Sequence, residues 1–106
     1  MINERVAREY AEALFGAAED KDKVEEVTAE MKTVIEIIFE AEFREFFLAP
    51  NIEVENKKLV FNKAVRDLNP LVRNFFWIVF DHKREEQLPV IADEFDRLVD
   101  EYRRRV

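Results

Sequence analysis

The side chains that most often carry catalytic chemistry are thinly represented in this sequence. Its only histidine, His82, stands in the polar run Asp81-His82-Lys83-Arg84. One imidazole cannot build a multi-histidine metal site, and no Glu-x-x-His pair supplies a di-iron helix motif. His82 therefore reads as a solvated corner residue. There are no cysteines, which removes disulfide frameworks, thiolate zinc sites and thiol nucleophiles together. Serine is absent too, and the two threonines, Thr28 and Thr33, have no histidine near in sequence to activate them. A phosphate-cradling loop needs several glycines, and Gly16 is the sole one. Carboxylates are plentiful, as in Glu25-Glu26, Glu85-Glu86 and Asp93-Glu94. Adjacent helical positions point in different directions, so these pairs do not share a site and read as solvated surface. No catalytic set, metal site or cofactor site emerges, and recognition by a surface is what remains.

Such a surface needs a scaffold. With 106 residues, 48% apolar and 39% charged, the chain has room for one domain with one core. Ten Phe against one Gly and three Pro exclude a disordered tail and disfavour a turn-rich β fold. No apolar run approaches the ~18–20 residues of a membrane span, and the N-terminus lacks the pattern of a signal peptide. The net charge of −7 repels phosphate backbones, so no nucleic-acid partner is expected. Arg103, Arg104 and Arg105 read as cations on the negative end of a last helix.

The apolar spacing predicts six helices. The first runs from about Asn3 to Glu19, with Asn3 as cap and two adjacent stripes, Val6-Tyr10-Ala13-Leu14-Ala17 and Ala7-Ala11-Phe15-Ala18. The second, about Lys23 to Glu40, carries Val24, Val27, Met31, Val34 and Ile38 at bundle-seam spacing. A short third, Ala41 to Leu48, is stopped by Ala49-Pro50. Asn51 is expected to cap a fourth, roughly Ile52 to Asp67, and Asn69-Pro70 starts a fifth that runs to Asp81. The block Phe75-Phe76-Trp77-Ile78-Val79-Phe80 is apolar on every side, which predicts a helix covered all round. The sixth, about Gln87 to Arg105, lines one face with Leu88, Ile91, Phe95, Leu98, Val99 and Tyr102. The fold class is all-α, a compact six-helix bundle in a single domain.

Two features exceed what a small core requires: the alanine-rich face of the first helix and the apolar circumference of the fifth. Side by side they would form a groove for one amphipathic helix of a partner; otherwise both are simply core.

Val6-Ala7-Arg8-Glu9-Tyr10-Ala11-Glu12-Ala13-Leu14-Phe15 resembles the opening helix of the delta subunit of bacterial ATP synthase and its mitochondrial counterpart, the oligomycin-sensitivity-conferring protein. Phe47-Leu48-Ala49-Pro50-Asn51-Ile52 followed by Lys57, and Leu71 through Asn74-Phe75 to Arg84 with Leu88, Ile91 and Phe95, resemble later segments of that family in order. The resemblance implies a helical N-terminal domain over residues 1–106, lacking a C-terminal domain that would contact the b subunits of the peripheral stalk. It implies a non-catalytic stator function, with the N-terminal helix of an alpha subunit bound between helices one and five. The groove residues carried over are Tyr10, Ala13, Leu14 and Ala17 on the first helix and Phe76, Trp77 and Phe80 on the fifth. It further implies a peripheral position at the cytoplasmic face of the cell membrane and a domain that is monomeric on its own. The corner Asp81-His82-Lys83-Arg84 departs from the family's small or glycine-containing turn. The alternative reading, an RNA-binding transcription regulator on a similar bundle, predicts a basic face that this acidic chain does not supply.

Overall fold

A computed structural model describes residues 2–105. Its helices are α1 (Glu4–Asp20), α2 (Val24–Ile38), α3 (Ala41–Leu48), α4 (Val54–Ala64), α5 (Pro70–Asp81) and α6 (Leu88–Arg105), with a 3-10 turn at Glu85–Gln87. No strand occurs among the described residues. The all-α single-domain architecture is the one the apolar spacing predicts.

α1 and α6 run parallel. At one end the Asn3 backbone N–H donates to Gln87 Oε1 (3.1 Å), and at the other Arg105 approaches Glu19 (3.8 Å). Between them Ala7, Ala11 and Ala18 are fully buried, so small side chains let the two helices approach closely. Phe15 fills the remaining space edge-on to Phe95 and Tyr102. α2 lies antiparallel to α6, with Arg103 making a two-pronged contact to Glu25. The seam Val24, Val27, Met31, Val34 and Ile38 is buried as its spacing requires. A second centre of packing is aromatic. Phe47 of α3, Phe61 of α4 and Phe76 and Phe80 of α5 are at most 1% exposed, with ring centroids 5.3–6.5 Å apart.

The helix limits follow local chemistry. Asn3 caps α1 by accepting from Val6 N, and Asn69 caps α5 by accepting from Leu71 N at 2.9 Å. Asn69 also gives its backbone N–H to Glu30 and its amide to Glu26, which fixes the start of α5 against α2. α4 is shorter than predicted at both ends. Its N-cap is Glu53 rather than Asn51, which lies in the turn after Pro50, and its C-cap Val65 is extended (φ −128°). Asp67 then takes a left-handed conformation (φ 60°), so no helix can reach it from Ala64.

Two helices end in Schellman motifs built without glycine. After α1, Lys23 N donates to Ala18 O (2.8 Å) and Asp22 N to Glu19 O (3.1 Å), with Asp22 left-handed at φ 56°. After α5, Arg84 N donates to Val79 O (2.9 Å) and Lys83 N to Phe80 O (3.1 Å), with Lys83 left-handed at φ 54°. The chain then enters the 3-10 turn, where Glu85, expected at the surface, is only 6% exposed and pairs with the equally enclosed Lys57 at 2.8 Å.

Candidate partner-binding groove

The two stripes of α1 part company in the fold. With Ala7, Ala11, Phe15 and Ala18 committed to the core, the neighbouring stripe turns toward α5, which runs antiparallel beside it. Val6, Tyr10, Ala13, Leu14 and Ala17 form one wall of a groove of about 510 Å³. Leu71, Asn74, Phe75 and Ile78 form the other, at the three- and four-residue steps that keep one face of a helix together. Leu14 and Phe75 make a buried floor, at 4% and 6% exposure. Ala13 is exposed, and Ile78 leaves 46% of its surface to solvent. An isoleucine half in water beside an alanine wall is apolar surface that no part of the described chain covers.

One end of the groove is closed by a polar bridge. The Tyr10 hydroxyl lies 2.7 Å from His82 Nδ1, and the two rings meet edge to face. His82 is the C-cap of α5, so this contact ties the last turn of α5 to the second turn of α1. His82 is exposed as expected of a corner residue, yet it also braces the two walls. Glu9 and Arg84 complete the lining at this end. Nothing here assembles an acid–base pair with a nucleophile. Among the described residues there is no group of three or more His, Asp or Glu placed to hold a metal ion.

Residues 6–106 match the sequence profile of the family described as ATP synthase delta (OSCP) subunit. The chain belongs to that family. Among curated relatives named ATP synthase subunit delta, the Bacillus cytotoxicus protein is 36% identical over 104 residues, covering 97% of this chain and 58% of the relative. The Syntrophomonas wolfei protein is 35% identical over 105 residues with the same shares of each chain. The Moorella thermoacetica protein is 34% identical over 102 residues, covering 95% of this chain and 57% of the relative. The chain thus spans less than three fifths of the length of these relatives.

Of the residues assigned to the groove by resemblance to this family, the structure brings four together and separates three. Tyr10, Ala13, Leu14 and Ala17 line the α1 wall. Phe76 and Phe80 do not line the groove. Both are fully buried in the aromatic packing against Phe47 and Phe61. Trp77 is half-buried on another side of α5, beneath the Lys58 ammonium at 5.2 Å, and lines a separate depression with Arg66 and Arg73. Each residue turns a helix by about 100°, which sets Phe80 roughly opposite Leu71. The α5 wall consists instead of Leu71, Asn74, Phe75 and Ile78.

The fifth helix is therefore not covered all round, as its apolar block had predicted. Within a six-residue apolar run no contrast marks the outward side, so periodicity alone has no phase. Asn74 supplies one: a polar residue just before the block shares its face with Ile78, four residues on. Its other neighbour on that face is Trp77, three residues on, and Asn74 also borders the depression beside Trp77, so the signal narrows the outward side without choosing between the two.

Proposed function

We propose that this chain is the part of a rotary ATP synthase stator that grips the catalytic head. In this reading the groove between α1 and α5 binds the amphipathic N-terminal helix of an alpha subunit. Membership of the delta (OSCP) family supports it, and the observation that carries it is the uncovered apolar groove with Ile78 and Ala13 at its mouth. An amphipathic helix would bury the exposed flank of Ile78 and use the low alanine wall for close approach, the usual helix-in-groove mode. An interface of roughly 1,200–2,000 Å² in total is ordinary for specific association.

The function is mechanical. A linkage that resists rotation needs affinity and no reacting groups, and the groove has none positioned to react. Contact with the b subunits of the peripheral stalk belongs, in this reading, to the portion of the family's length that this sequence does not span. No helix among the described residues is long and apolar enough to cross a membrane, which fits peripheral attachment as part of the assembled synthase.

The test is calorimetric titration with a synthetic peptide of the alpha subunit's N-terminal ~20 residues, long enough for about 30 Å of helix. Calorimetry is the readout of choice, because Trp77 lies away from the groove. Saturable one-to-one binding with a negative heat-capacity change is expected. Ala13→Glu puts a carboxylate on the exposed alanine wall; it should abolish binding while far-UV circular dichroism stays unchanged. Undiminished affinity in that variant would remove the groove from the proposal.

A further inference from the structure

The α1–α5 groove changes character along its length. Toward the C-terminal end of α1 its lining is Ala13, Leu14, Ala17, Leu71 and Phe75, with Asn74 the one polar side chain among them. Toward the N-terminal end it becomes polar, with Glu9, Tyr10, His82 and Arg84. Three of these four already have partners: Glu9 faces Arg5 at 3.4 Å, and Tyr10 and His82 engage each other. Arg84 is the one left over. It is half-buried, and among the described residues its guanidinium has no ion pair and no side-chain hydrogen bond.

Its position is not loose. The Arg84 backbone N–H is pinned to Val79 O by the motif that ends α5, and the Arg84 carbonyl accepts from Gln87 N at 2.9 Å to begin the 3-10 turn. The backbone from which the guanidinium extends is thus held at the groove's polar end. A guanidinium is a planar array of five donors, and a partly desolvated one gains most from a carboxylate, which accepts two parallel hydrogen bonds.

We propose that Arg84 is a specificity-determining residue that receives a carboxylate side chain of the helix bound in the groove, set just beyond that helix's apolar face. The proposal rests on the groove reading above and adds what it lacks, a register. Apolar contacts along the alanine wall tolerate a slip of the bound helix by one turn. A single ion pair at one end does not. Glu9, on the opposite wall, turns the carboxylate away from α1 and toward α5, where Lys83 adds a second positive charge next to Arg84 in sequence.

The experiment is a double-mutant cycle by calorimetry between the 106-residue chain and the alpha-subunit N-terminal peptide. The chain is used as it stands, as Arg84→Met and as Arg84→Lys; the peptide is used as it stands and with every Asp and Glu replaced by its amide. Arg84→Met should weaken binding of the unaltered peptide about tenfold or more, and Arg84→Lys should recover part of the loss. Neither variant should weaken the amide peptide further, and circular dichroism should show the bundle unchanged. If Arg84→Met binds the unaltered peptide like the parent, or loses as much against the amide peptide, the ion pair is refuted. When Ala13→Glu still abolishes binding in that case, the groove itself survives. Absence of any binding by the parent chain removes both readings.

Discussion

Gly16, the only glycine, stands in the middle of α1 with negative φ, and a Cβ built there meets nothing within 4 Å. It gives α1 an entropic handicap with no close approach in return. Gly16→Ala should raise stability by roughly 0.5–1 kcal/mol, read as a rise in the thermal midpoint without a change in helical signal. The left-handed positions that suit glycine are filled instead by Asp22, Asp67 and Lys83. At this scale the sequence is legible where a side chain acts on its own backbone. Asn3 and Asn69 are caps because their carbonyl oxygens reach an N–H two or three residues on. Asn51 carries the same local signal, yet the helix starts later, because the chain after Pro50 needs an extra turn before Val54 can pack on the core.

The elements themselves were largely readable, and α3 and α5 begin and end where the sequence alone predicts. Their limits rest on Pro and Asn signals within a few residues. What was not readable joins distant elements. Lys57 on α4 and Glu85 in the turn before α6 are 28 residues apart, and nothing in either segment announces that they are buried against each other. The pair fastens α4 to the corner that follows α5. Losing one partner leaves an enclosed charge alone, so Lys57→Met should cost about 3–5 kcal/mol in urea denaturation. Combining it with Glu85→Leu should recover most of that loss, since a packed apolar pair tolerates the site well. The site was legible to the same degree: the α1 wall follows from a clear stripe, and the α5 wall does not, because the aromatic block conceals which side faces out.

As a whole the molecule carries an acidic excess, and α6 places three aspartates, Asp93, Asp96 and Asp100, within two turns. Asp96 is held above the ordinary aspartate range, first by desolvation and then by Asp93 and Asp100, with Lys32 and Arg103 opposing. A carboxyl whose folded pKa is raised binds its proton more tightly when folded, so its ionisation lowers stability as pH rises through that pKa. Asp96→Asn should therefore stabilise the bundle at neutral pH, and the gain should vanish in denaturation curves taken below the ordinary aspartate range. Glu25 behaves oppositely. Its hydrogen bond with Arg103 lowers its pKa, so its contribution is present at neutral pH and is lost as pH falls through the lowered value. The contact of α1 and α6 from end to end has a mechanical consequence. α6 is 18 residues long, about 27 Å of helix. A pull on its Arg105 end, directed along its axis while α1 is anchored, slides one helix along the other. The buried alanines, Phe15 and the end contacts then share the load at once, in shear. The same pull directed across the axis would open these contacts one at a time, so the α1–α6 packing is strongest along its own length.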